Sequence, residues 1–232
     1  MKRGPAKSKS ERTKEKLYSA ALALFKTRGY EATTMRMVAG KAGLSPGATY
    51  YYFRSKDEIA LEFYRRNLTT MSAQAEEVSS RTKDFRARLT EMVRFQLVEF
   101  EPRRKFLSVL YQNAVNPNSV LSPFGPETTR IRDDSVAVFE RLLRGSNAPR
   151  REDLEAHLPY LLWLYSLSIL LFWIFDESPG RARTHRLLEL SIEILWQVLK
   201  IQRLPFAGRL LKSVLVLLAE FNFLDASNQS NG

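Results

Sequence analysis

A chain of 232 residues with 44% hydrophobic side chains can hold two domains and a large core, which excludes wholesale disorder. It has no cysteine, so disulfides, thiolate metal sites and thiol nucleophiles are excluded together, and a reducing cytoplasm is the expected compartment. Its net charge of +11 is local: between Met1 and Lys56, 13 Lys/Arg face only Glu11, Glu15 and Glu31, so this segment holds +10 and calls for a polyanionic partner.

Residues 1–9 mix Lys, Arg, Ser, Gly and Pro and read as a disordered basic arm, with no apolar run behind it to make a secretory signal. Ser10 is placed to cap a first helix reaching about Arg28. Leu17, Ala20, Ala21, Leu24 and Phe25 form its single apolar stripe, and Gly29 stops it. Thr34 caps a short second helix that ends near Ala42, with Met37 and Val38 facing inward. Gly43 turns the chain, Ser45 caps again, and Pro46 opens a third helix to about Phe53. Ser55 and Glu58 have the spacing of a capping box and begin a fourth helix reaching about Ser79. Helical patterns then cover about 83–100, 102–115, 128–144, 152–176, 181–203 and 206–223. Breaks fall at 116–127, 144–149 and 178–180, and a small polar tail, expected to be disordered, starts at Asp225. No alternating strand pattern occurs, so the expected class is all-α.

Residues 34–53 read helix, glycine turn, short helix. In a helix-turn-helix the first helix braces against the DNA backbone and the second enters the major groove. Pro46, Gly47 and Ala48 are small enough to let the start of that second helix approach base edges. Tyr50, Tyr51 and Tyr52 follow, each with a ring to pack and a hydroxyl to bond phosphate or base; Tyr52 fits core packing equally well.

The run from Thr33 to Glu58, with Ala21-Leu22-Ala23-Leu24-Phe25 and Gly29-Tyr30 ahead of it, resembles the DNA-binding signature of the TetR family of repressors. The resemblance covers about 50 residues, with turn, caps, aromatic run and Lys56 all in register. It implies a three-helix head over 10–56, a helical effector-binding and dimerisation body over 57–224, and effector-controlled release of a homodimer from a palindromic DNA operator. It assigns Thr34 and Lys56 to phosphate contacts. It places Arg36, Ser45, Pro46, Gly47, Thr49, Tyr50 and Tyr51 at or near the groove, and Phe53 in the core.

Leu158 to Phe175 carries no charge over 18 residues, enough to span a membrane by length alone, yet Pro159, Ser166 and Ser168 interrupt it and no second such span follows. Burial on all sides is the alternative. With the amphipathic stretch 181–203, it is expected to supply the dimer helices that the resemblance implies. The stretch 206–223 would cap the body or extend that contact. Expected effector-site residues are Phe95, Glu99, Phe106, Tyr111, Phe139, Tyr160, Trp163 and Tyr165, which point to a hydrophobic small molecule, although aromatics at helical spacing are also ordinary core.

His157 and His185 have no carboxylate partners at ligating spacing, and Asp133 and Asp134 point about 100° apart on a helix, so neither a metal site nor a general acid–base pair is expected. No glycine-rich phosphate loop occurs, and no cofactor or enzymatic activity is expected. The competing readings are a membrane-associated helical protein and a nonspecific nucleic-acid-binding protein.

Overall fold

The computed structural model describes residues 8–114, 119–149 and 152–201. The basic arm up to Lys7, the stretch 206–223 and the polar tail lie outside the described residues. Within them all regular structure is helical, in two compact units divided inside the fourth helix.

The first unit holds α1 (Lys9–Arg28), α2 (Met35–Ala42), α3 (Pro46–Tyr52), the first ten residues of α4 (Lys56–Arg81) and α6 (Arg104–Ala114). The cap of α1 is Ser8 rather than Ser10. The Ser8 hydroxyl accepts from the Glu11 N–H (3.1 Å) while the Ser8 N–H donates to the Glu11 carboxylate (2.6 Å). Ser10 has Thr13 three residues on and cannot build that reciprocal pair. Thr34 and Ser45 cap α2 and α3 as expected, accepting from the N–H groups of Met37 and Ala48. Gly43 takes the left-handed conformation (φ 68°, ψ 36°) that closes α2, and Leu44 N–H returns to the Ala39 carbonyl at 3.0 Å.

Leu17, Ala21, Phe25, Val38, Phe53 and Ile59 are buried at the centre of this unit. The Phe106 ring of α6 stacks on Phe25 at 5.1 Å and meets Phe63 edge-on at 5.2 Å. The described residues from Arg103 to Ser122 group with the head, so this compact unit takes in more than the expected 10–56 segment. Burial of a ring such as Phe106 supplies about 1.5–3 kcal/mol, a strong reason for α6 to stay there.

The second unit holds the rest of α4, α5 (Phe85–Phe100), α7 (Thr129–Leu143), α8 (Glu152–Glu155), α9 (Leu158–Phe175) and α10 (Ala182–Ile201). The expected helix over 152–176 is broken at Ala156 and His157. Pro159 lacks an N–H, and in a continuous helix its ring would strike the Glu155 carbonyl; in the first turn of α9 it meets neither difficulty. The α9 helix packs on α7, α5 and α10, and α10 packs on α5. Arg88, only 2% exposed, closes the ends of two helices: its guanidinium donates to the carbonyls of Ser79 and Thr82 on one side and of Leu142 and Arg144 on the other, at 2.6–2.9 Å.

Half of the Leu158–Phe175 helix is buried within its own chain. The rest leaves Leu171, Phe172 and Phe175 exposed, as are Leu190, Ile194 and Val198 on α10.

Candidate nucleic-acid interface

The head presents the start of α3. Ser45, Pro46 and Gly47 are all exposed, and a Cβ added at Gly47 would meet no atom within 4 Å. The Ser45 and Thr34 side-chain oxygens are occupied as acceptors in their caps, but each hydroxyl keeps its proton to donate. Exposed donors at two helix starts, each with the positive end of its helix behind it, suit phosphate oxygens. Tyr51 is 83% exposed and Tyr50 52% exposed, while Phe53 is fully buried. Tyr52 is half-buried, edge-on to Tyr51 at 5.1 Å. Arg36 is exposed on α2.

One expected contact residue turns out otherwise, and a second, Lys56, is tied into the head. Thr49 has no exposed surface, and its hydroxyl donates to the Ser45 carbonyl at 3.1 Å, so it shapes α3 from within and offers nothing to a base. Helix α3 has seven residues, and its inner face is decided by α2 packing against it. Lys56 is held by the head itself. Its ammonium lies 4.3 Å from the centre of the Tyr30 ring, donates to the Tyr30 carbonyl (3.2 Å) and pairs with Glu31 (3.1 Å). The Tyr30 hydroxyl in turn donates to Asp57. Burial, and then that carboxylate, raise the Tyr30 phenol well above its ordinary range, so it stays a protonated donor. Lys14 adds a second brace, pairing with Glu62 at 3.3 Å and lying over the Phe53 ring. The pair Lys56–Asp57 thus pins the start of α4 to the turn between α1 and α2, which fixes how α3 is displayed.

The expected effector residues do not form one cluster. Phe106 is core of the first unit, and Tyr111 belongs to that unit with a buried, unpartnered hydroxyl. Phe95 lies in a shallow surface groove with Gln74, Arg94 and Val98, and Glu99 is half-buried further along α5. Tyr165 bonds Ser191 at 2.7 Å and ties α9 to α10. Phe139, Tyr160 and Trp163 are buried on α7 and α9. On α7, which packs against the helix of the last two, is a residue that the sequence pattern does not single out, Arg132, which is 4% exposed. Its one sequence signal is its place four and seven residues before Val136 and Phe139, on the inward stripe.

Comparison with known proteins agrees with this architecture. Residues 17–63 match the family described as bacterial regulatory proteins, tetR family, and residues 88–215 match the tetracyclin repressor-like C-terminal domain. The transcriptional repressor KstR2 of Mycolicibacterium smegmatis is 28% identical over 150 residues, covering 63% of this chain and 72% of KstR2. The transcriptional activator FasR of the same organism is 27% identical over 184 residues, 77% of this chain and 79% of FasR. Among solved structures, Thermus thermophilus FadR, a TetR-family repressor in complex with lauroyl-CoA, superposes with a TM-score of 0.60 over 78% of this chain and 92% of its own, at 21% identity. A capped, glycine-turned helix pair ahead of a helical body, matched at both ends of the chain, places this protein in the TetR family of transcriptional regulators.

Proposed function

We propose that this protein is a cytoplasmic repressor that binds a palindromic DNA operator as a homodimer and lets go when a small, largely apolar effector occupies its second unit. The observation that carries the reading is the open start of α3: Ser45, Pro46 and Gly47 exposed, with Tyr50 and Tyr51 displayed beside them. Arg36, Thr34 and Ser45 would hold phosphates, and the tyrosines would contact base edges. One head reads few base pairs, so two heads on half-sites about one helical turn or more apart are needed for selectivity.

The exposed apolar residues of α9 and α10 suit a second copy of the chain, which would cover them without a membrane. A repressor among the relatives and a related structure solved with lauroyl-CoA support effector-controlled repression. Helix α4 runs through both units, so an effector that favours one body conformation would shift the spacing of the heads by population shift.

Footprinting of the purified protein on the DNA upstream of its own gene, at several salt concentrations, tests this. A protected palindrome whose affinity falls steeply with salt is the expected result. Salt-dependent coating with no preferred sequence would leave only nonspecific binding. A protein that stays in solution only with detergent would restore the membrane reading.

A further inference from the structure

We infer that the effector is an organic anion, a carboxylate or phosphate monoester on an apolar body, anchored in the second unit by Arg132 and the Tyr160 hydroxyl. The inference rests on the effector-controlled reading above and names the chemistry of its ligand.

Among the described residues of this unit two arginines are deeply buried, and they are treated differently. Arg88 spends its guanidinium on four carbonyls at 2.6–2.9 Å. Arg132 makes only two longer bonds, from Nη1 to the Pro123 carbonyl (3.2 Å) and from Nη2 to the Thr129 hydroxyl (3.3 Å). Of five N–H groups, two are engaged. Among the described residues no carboxylate lies within 4.0 Å of it. The acids on its own helix are committed elsewhere: Asp133 and Asp134 are exposed, and Glu140 pairs with Arg144. A buried cation without a counter-charge is destabilising, which structure alone gives no reason to sustain.

A second observation is independent of the first. Tyr160 is 8% exposed, and its hydroxyl has no hydrogen-bond partner. Burial pushes this phenol up, and the Arg132 charge, on the helix that packs against α9, pulls against it. Together they offer a cation and a neutral O–H donor, the combination that takes an anionic oxygen.

The surroundings supply the rest of a ligand site. Phe124 follows the carbonyl that Arg132 holds, and its ring stands edge-on to Trp163 at 6.0 Å; Trp163 lies 5.2 Å from Tyr160. Phe124 is half exposed, so the cluster reaches solvent there. Val136, one turn along α7 from Arg132, and Pro159, next to Tyr160, belong to the wall of an adjoining concavity of about 720 Å³, which Leu143, Leu154 and Leu158 line together with Glu140, Arg144 and Glu155; Arg132 and Tyr160 do not line it.

The test uses four ligands with one tail: n-octanoate, n-octyl phosphate, 1-octanol and n-octylammonium, titrated into the full chain by calorimetry. At least one anion should bind about tenfold or more tighter than 1-octanol, with n-octylammonium weakest. The better of the two anions identifies the head group. Arg132→Gln should remove the preference while leaving 1-octanol binding in place, and Tyr160→Phe should weaken the preferred anion about threefold or more. Should Arg132→Gln fail to fold, Tyr160→Phe carries the test, because it removes only the hydroxyl. Equal binding of 1-octanol and both anions, no binding of either anion up to about 1 mM, an anion preference unchanged in Arg132→Gln, or anion binding unchanged in Tyr160→Phe, would each overturn the inference. Footprints of the ligand-free protein, run alongside, separate the two readings. A selective footprint without anion preference defeats only the ligand assignment, and anion binding without a selective footprint defeats the operator reading.

Discussion

Replacing Tyr51 separates recognition from folding. Its side chain is 83% exposed and its ring meets one other ring, that of Tyr52. Full burial of an aromatic side chain is worth about 1.5–3 kcal/mol, so the sixth that Tyr51 buries contributes roughly 0.3–0.5 kcal/mol. An edge contact between exposed rings adds about 0.5 kcal/mol, and alanine returns a few tenths through helix propensity. Tyr51→Ala should therefore lower stability by less than about 1 kcal/mol and move Tm by only a few degrees. Against operator DNA the same change removes a ring and a hydroxyl from the groove, a loss of about 1–3 kcal/mol, or about 5- to 150-fold in affinity. Tyr51→Phe keeps the ring and should lose only part of this. Because tyrosine is neutral, the slope of affinity against salt should not change, whereas Arg36→Ala should reduce it by about 1. Fluorescence anisotropy on the footprinted site, at several salt concentrations, measures both quantities. Operator affinity within about twofold of the parent, or a stability loss above about 1.5 kcal/mol, would refute the reasoning, since either result means the ring is not displayed for DNA.

Thr49→Val removes a buried hydroxyl whose acceptor, the Ser45 carbonyl, keeps the Thr49 N–H; stability should fall by about 0.5–1 kcal/mol and operator affinity per folded molecule by less than twofold. A large loss of affinity at unchanged stability would return Thr49 to the groove. Ile194→Asp and Phe175→Asp alter exposed positions and should leave the protomer folded, within about 0.5 kcal/mol, while sedimentation velocity shows the dimer giving way to monomer. A dimer that survives both changes places the interface elsewhere. Asp176 supplies a pH dependence. Burial pushes its carboxyl up, but hydrogen bonds from Ser178 and from the N–H and hydroxyl of Thr184 outweigh this and hold it well below the usual range. A depressed carboxylate stabilises the fold above its unfolded pKa, near 4, and loses that contribution as pH falls through the lower folded value. Thermal melts from pH 7 to 2 should show an acid limb starting below about pH 4, which Asp176→Asn flattens while lowering Tm at neutral pH. An unchanged acid limb in that variant removes Asp176 as its source.

The helix-turn-helix could be read from sequence because its determinants are local: the caps Thr34 and Ser45, the glycine at 43, and Pro46 each act within one turn of the chain. The apolar run 158–175 was legible as a helix for the same reason, and only its start shifted, because Pro159 constrains the backbone behind it. What sequence could not give depends on partners far along the chain. Thr49 faces inward because of where α2 packs. Phe106 fills the head because Phe25 and Phe63, 81 and 43 residues earlier, leave a ring-sized place for it. A periodic pattern shows that a residue is buried but not against what, which is why the expected effector residues divide between two units. Arg132 was hidden by the opposite rule, since a lone arginine in a helix is ordinarily solvated.

The division between the units also bears on how a ligand could reach the heads. The chain passes between them within α4, after Pro102 and after Ser122. A lever along α4 alone would use the first of these passages. Yet α6, held by Phe106 in the core of the head, lies between the other two, so it is coupled to the head whatever α4 does. The carbonyl that Arg132 holds belongs to Pro123, the first residue beyond the last passage. With three of its five N–H groups unused, Arg132 would take an anion while still holding that carbonyl, so ligand and passage would meet at one side chain, and a charged oxygen would be the stronger of its acceptors.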